Sequence, residues 1–186
     1  EIALKNNASV STCLNIVKNI RKKNNDIPII LMGYYNPIFH YGNLKFIKNC
    51  KNSGIDGLII VDLPMEEDEE FFNLSIRNNL PVIRFVTPTT NVDRLKKIVK
   101  TAKGFIYYIA VTGITGTKSA SLDEVNKKIK ILKRFTDLPV IAGFGIKTPT
   151  DAVKMTQFAD GVVIGSVLID KIKKVSKDLS GIKDIS

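Results

Sequence analysis

At 186 residues, 44% hydrophobic and 25% charged, the chain has the composition of an ordinary globular protein and length enough to bury one good core. No run approaches the roughly 20 apolar residues of a membrane span, and the opening Glu1-Ile-Ala-Leu-Lys5 lacks a signal-peptide layout. The net charge of +10 is mostly lysine, with arginine only at 21, 77, 84, 94 and 134. Arginine dominates bidentate base and phosphate recognition, whereas groups such as Lys96-Lys97…Lys100 and Lys127-Lys128…Lys130 have the spacing of solvated helix faces. A nucleic-acid partner and a membrane partner are therefore not expected. Cys13 and Cys50 have no metal or redox spacing and read as reduced thiols, which places the chain in a reducing compartment.

In chain order, a helix over about 11–24 carries Ile16, Val17 and Ile20 on one face. Six apolar, β-rich runs follow: Pro28–Tyr34, Gly57–Asp62, Pro81–Val86, Gly104–Ala110, Pro139–Gly145 and Gly161–Ser166. They are continuous rather than alternating, the pattern of parallel strands buried on both faces. Between them, Leu95, Ile98 and Val99 mark a helix over about 91–102, and Val125, Ile129 and Leu132 another over about 122–135. Asp68, Glu69 and Glu70 open a helix, where acidic residues suit the macrodipole. Strand starts recur about every 22 to 35 residues, the size of a β/α unit. The reading is α/β, a (β/α)₈ TIM barrel forming a single domain over 1–186. Six strands and seven helices, opening with a helix, fall short of a barrel that usually needs ~250 residues. The expectation is a barrel without its first two β/α units, incomplete at the N-terminus.

In such barrels the site lies at the C-terminal strand ends. Here those ends carry Tyr34-Tyr-Asn-Pro37, Asp62-Leu-Pro64, Thr87-Pro-Thr89, Val111-Thr-Gly-Ile-Thr-Gly116, Phe144-Gly145 and Gly165-Ser166. Glycine turns that hand over to helices, as at Gly143-Phe-Gly-Ile146 and Gly165-Ser166, let an oxyanion approach backbone N–H groups. Ser166 offers a further hydroxyl, or serves as an ordinary N-cap for a helix from Val167. The set is poor in acid/base groups: Asp62 is its only carboxylate, and no lysine sits inside a strand end for a Schiff base. Val111–Lys118 reads as a loop able to close on a ligand. His40, the only histidine, lies beside Phe39 and Tyr41 in a surface or packing role.

These residues resemble the α subunit of tryptophan synthase. The matching segments are Pro28-Ile-Ile-Leu-Met-Gly-Tyr-Tyr-Asn-Pro37, Gly54-Ile-Asp-Gly-Leu-Ile-Ile-Val-Asp-Leu-Pro64 and Thr87-Pro-Thr-Thr90. Gly104-Phe-Ile-Tyr107, Val111–Gly116, Gly143-Phe-Gly-Ile146 and Ala159-Asp-Gly161 with Gly165-Ser166 continue in family order to about residue 175. The resemblance implies a carbon–carbon lyase of tryptophan biosynthesis, cleaving indole-3-glycerol phosphate to indole and glyceraldehyde 3-phosphate by a retro-aldol step. It implies no cofactor on this chain, with pyridoxal phosphate on a partner β subunit of an α2β2 heterotetramer, in the cytoplasm or a plastid stroma.

By that resemblance Gly116, Gly145, Gly165 and Ser166, with Phe144, bind the phosphate, and Met32 and Tyr34 line the indole end. Tyr107 and Thr115 support a catalytic Glu, and Asp62 and Pro64 face the β subunit. By the same resemblance the family's catalytic Glu and Asp lie on loops after the second barrel strand, a segment expected before Glu1, so no residue of this chain matches either role. Met65 stands where many relatives carry proline. The alternatives are another phosphate-binding TIM barrel, such as a phosphosugar isomerase or thiamine phosphate synthase, and a non-catalytic partner of the β subunit. The barrels share the glycine turns but not Asp62-Leu-Pro64 or the Thr112–Gly116 loop.

Overall fold

The computed structural model describes residues 8–109, 122–143 and 145–175. They form parallel β/α repeats in two compact units that divide between Ile83 and Arg84. Eight helices, not seven, are present among the described residues, and none of them is long and apolar enough to cross a membrane.

In the first unit α1 (Val10–Arg21) leads to β1 (Ile30–Gly33), α2 (Tyr35–Tyr41), α3 (Asn43–Ser53), β2 (Gly57–Ile60) and α4 (Glu69–Arg77). Ser9 caps α1, its hydroxyl accepting the Thr12 N–H at 3.2 Å. Gly42, at φ 91°, ends α2 and begins α3 in a backbone conformation that suits glycine. β1 and β2 pair in parallel, Ile30 opposite Gly57 through Gly33 opposite Ile60, and Leu58 bridges onward to Val82. Leu14, Val17, Phe46, Ile47, Cys50, Leu58, Ile60 and Phe71 form the core under the helices.

Two patterning expectations are corrected. Val17 is buried, but Ile16 and Ile20 are 55% and 39% exposed, because the inward stripe of α1 runs through Leu14 and Val17. β2 is buried throughout, whereas Met32 on β1 is 59% exposed: β1 has a partner on one edge only among the described residues.

The second unit runs β3 (Arg84–Val86), α5 (Val92–Thr101), β4 (Ile106–Ile109), α6 (Leu122–Leu132), β5 (Val140–Gly143), α7 (Pro149–Thr156), β6 (Gly161–Val162) and α8 (Ser166–Val175). Its four strands lie in parallel in the order β3-β4-β5-β6. Ile106, Tyr108, Val140 and Ala142 are fully buried with Val125, Ile129, Leu132 and Met155 of the helices. Phe85, Tyr107, Ile141 and Gly161 stand side by side in the alternate row, which by strand periodicity faces the other side. α7 begins with a capping box, Thr148 and Asp151 each bonding the other's backbone N–H, with Pro149 at its first turn. The strands are shorter than the apolar runs, since the flanking residues turn out of the ladder into loops.

The same knot closes the start of a strand pair in each unit. Asp56 donates its N–H to Ile29 O at 2.9 Å and accepts the Ile29 N–H at 2.7 Å; Asp160 does both with Val140, at 2.9 and 2.8 Å. A cation from the end of the preceding helix completes each knot. Arg21 reaches Asp56 at 2.5 Å, Gly54 O at 2.8 Å and Ile27 O at 2.7 Å, while Lys133 reaches Asp160 at 2.7 Å. A Cβ at Gly54, whose φ is +85°, would lie 2.8 Å from Arg21 Cγ, so the glycine leaves room for the knot.

Arg21→Met removes four charge-assisted bonds, to Gly54 O, Asn24 O, Ile27 O and Asp56, while keeping an apolar stem, and is expected to cost about 2–3 kcal/mol in urea unfolding; a loss under about 0.5 kcal/mol would show the knot to be ornamental. The bond from Lys133, then that from the Val140 N–H, hold the Asp160 carboxyl below its ordinary 3.8. A depressed carboxylate contributes stability that is complete above its unfolded-state pKa and lost as pH falls through the folded one. Asp160→Asn should therefore flatten the decline of the urea midpoint below about pH 4.

Candidate functional site

β5 and β6 are neighbours, with Ala142 opposite Val162 and the Val163 N–H donating to Ala142 O at 2.9 Å. The turns that leave them therefore emerge side by side at the C-terminal ends of the strands. After β5 comes Gly145, at φ +58°, with nothing within 4 Å of a hypothetical Cβ. After β6 comes Gly165, equally open, whose carbonyl accepts the Ile169 N–H at 3.1 Å. Gly165 is thus the cap and Ser166 the first residue of α8, rather than Ser166 capping a helix from Val167. The leading N–H groups of α8 have no acceptor within the helix, and the macrodipole adds partial positive charge there. Two glycine-opened turns beside the start of a ten-residue helix leave backbone N–H groups open to an approaching anion, which is what such an arrangement can offer chemically.

Tyr107 stands two residues before the end of β4, between Phe85 and β5. Its ring centroid is 5.4 Å from that of Phe85, and a Cβ on Gly143 would meet its Cε2 and hydroxyl at 2.7 Å. Gly143 is therefore the floor beneath the Tyr107 ring as well as the strand end. Burial pushes the Tyr107 phenol above its ordinary 10.0, so at neutral pH the hydroxyl is a hydrogen-bond donor and not a base. Gly116, Thr115 and the rest of the Val111–Lys118 loop, and Phe144, lie outside the described residues.

In the first unit Met32 and Tyr34, 59% and 62% exposed, line an apolar hollow of about 170 Å³ with Cys13, Leu31 and Pro37. Met32 is thus not a core side chain. Asp62 and Pro64 follow β2 and are exposed. The Asp62 carboxylate accepts the Tyr35 N–H at 2.7 Å, a bond that sequence spacing does not reveal across 27 residues. The Thr87–Thr90 turn after β3 closes on itself: Thr90 Oγ1 accepts the Thr87 N–H at 3.0 Å, and the hydroxyls of Thr87 and Thr89 meet at 3.0 Å. His40 is exposed beside Phe39. Among the described residues no three His, Cys, Asp or Glu side chains cluster where a metal ion would fit.

A family model for the tryptophan synthase alpha chain matches residues 1–184. The chain belongs to this family. Solved tryptophan synthase alpha chains share its α/β fold. One from Legionella pneumophila subsp. pneumophila is 35% identical, with a TM-score of 0.84 over 94% of this chain and 64% of its own. The Campylobacter jejuni subunit is 39% identical, with a TM-score of 0.83 over 92% of this chain and 68% of its own. The α2β2 complex from Pyrococcus furiosus gives 33% identity and a TM-score of 0.82 over 92% of this chain and 69% of that one. The chain spans less than two thirds of the two Legionella structures, 64% and 62% of their lengths.

Within the tryptophan synthase alpha family frame, sequence motifs found both glycine turns but missed the partnership of Gly143 with Tyr107. The signal was present in the strand register, which sets Tyr107 beside β5. Gly143→Ala should displace the flexible end of the Tyr107 side chain rather than the backbone, with a melting temperature shift below about 4 °C. Tyrosine absorbance and ring NMR shifts at Tyr107 would report the displacement. An unshifted ring would contradict the contact.

Proposed function

We propose that this chain is the phosphate-binding and partner-facing part of a tryptophan synthase α subunit, a carbon–carbon lyase that cleaves indole-3-glycerol phosphate to indole and glyceraldehyde 3-phosphate. The observation that carries the reading is the pair of adjacent turns at Gly145 and Gly165-Ser166, in a chain whose residues 1–184 match the family. In this reading the substrate phosphate sits against the N–H groups of both turns and the start of α8, with the Ser166 hydroxyl adding a bond; Gly116 and Phe144 join the phosphate contacts by the family resemblance alone. Backbone donors suit this task because they are fixed in place and neither gain nor lose a proton at any working pH.

Tyr107, a protonated phenol on the floor of Gly143, and Thr115 position the acid/base group. Met32 and Tyr34 border the indole. The retro-aldol step requires protonation at indole C3 and loss of the side-chain hydroxyl proton, with a carboxylate on the indole N–H. No residue of these 186 is assigned to either carboxylate role, and Asp62 is not promoted to one. Asp62 and Pro64 face a β subunit that carries the pyridoxal phosphate and consumes the indole. The chain itself holds no cofactor in this reading, and works in the cytoplasm or a plastid stroma. The C. jejuni and P. furiosus relatives, named as tryptophan synthase subunit and complex, support it.

The 186 residues alone should release no indole from indole-3-glycerol phosphate; indole formation by the isolated chain would overturn the assignment of the carboxylates elsewhere. In the gene-encoded polypeptide, Ser166→Asp sets a carboxylate against the phosphate and should weaken substrate binding at least a hundredfold, a loss of about 2.7 kcal/mol. Unchanged affinity by calorimetry would move the phosphate to another site.

A further inference from the structure

We propose that Asp62 is a positioning residue: by capping α2 from the neighbouring strand, it fixes the Tyr34 turn against which the indole is held. The inference rests on the functional reading above for its ligand, and on the first unit alone for its geometry. α2 starts without a cap of its own. Its N-cap residue is Tyr34, in extended backbone at φ −96° and ψ 154°, and no side-chain hydrogen bond is made there. A helix start leaves its leading N–H groups without partners. Pro37, at the third helical position, has no N–H to satisfy. The Tyr35 N–H at the first position goes to Asp62 Oδ1 at 2.7 Å, a charge-assisted bond at the positive end of the helix.

The ladder explains why Asp62 arrives there. Gly33 pairs with Ile60, and the Val61 N–H still donates to Gly33 O at 2.9 Å. One residue further on, β1 has left the sheet to begin α2, and the Asp62 side chain takes the next donor. Tyr35 is anchored on its other side as well. Its hydroxyl accepts from Asn43 Nδ2 at 2.9 Å, and its ring meets Phe71 edge-on at 5.6 Å. Tyr34, 62% exposed, is the one residue between the end of β1 and this anchored helix start. Its backbone is therefore held from both sides, by Gly33 in the ladder and by Asp62 through Tyr35. Removing the carboxylate frees one side of that turn. Asparagine, whose amide oxygen also accepts an N–H, replaces the cap without the charge.

The test compares Asp62→Ala with Asp62→Asn in the gene-encoded polypeptide assembled with its β subunit, by amide exchange at Tyr35 and steady-state kinetics on indole-3-glycerol phosphate. Asp62→Ala is expected to lose the protection of the Tyr35 amide and to raise KM about fivefold, the size of one lost helix cap, with kcat within about twofold. Asp62→Asn restores both the protection and KM. Loss of protection without a change in KM would overturn the proposal, as would an asparagine variant that binds as poorly as the alanine one, since the charge and not the cap would then matter. If the wild type does not turn over this substrate while its Tyr35 amide is protected by Asp62, the functional reading has failed and this inference falls with it; the exchange data tell that failure from the other two.

Discussion

The rest of this structure depends on how its parallel strands begin. A parallel ladder opens with a donor and an acceptor that no hairpin closes, and here one aspartate on the next strand takes both. Asp56 does so for Ile29 and Asp160 for Val140, and a cation from the preceding helix balances each carboxylate. The arrangement fixes register, helix position and strand spacing at the N-terminal ends of the strands. Glycine turns and short polar loops follow the opposite ends of the strands. Stability at one end and ligand contact at the other is the division that β/α barrels use generally.

The two knots are chemically unequal. Arg21 spreads its guanidinium over the carbonyls of Gly54 and Ile27 as well as Asp56, and its side chain is only 13% exposed. Lys133 makes a single-point contact with Asp160. A planar fork holds direction as well as charge, whereas an ammonium group holds charge alone. The start of β1 is thus bound to α1 and α3 together, and the start of β5 to α6 mainly through one carboxylate.

Much of this was legible in the residues. Continuous apolar runs located the six strands among the described residues, and the periodicity of Val125, Ile129 and Leu132 found the buried face of α6. What failed did so for identifiable reasons. The period of α1 fits two stripes, and only tertiary packing selects Leu14 and Val17 over Ile16 and Ile20. Apolar character could not show that Met32 faces outward, because exposure depends on which strand lies beside β1. The start of α8 at Ser166 was missed by one residue, since glycine and serine both suit a cap. The cap on Tyr35 was beyond local reading: Asp62 and Tyr35 meet only once the strands are in register. The two glycine turns were the most legible part of the candidate site, because glycine suits the open or left-handed backbone with which the chain leaves these strands.

Burial gives the first unit a built-in gauge of its own opening. Cys50 is fully enclosed under α3, and desolvation pushes its thiol up to about 12, while Cys13 on α1 is exposed. The thiolate is the reactive form, so Cys50 reacts only through molecules in which α3 has lifted from β2. With a reagent slow relative to reclosing, the rate at Cys50 relative to Cys13 gives the fraction of time that helix spends away from its core. The molecule thus carries two clocks on two of its helices, one running always and the other only while the fold is open.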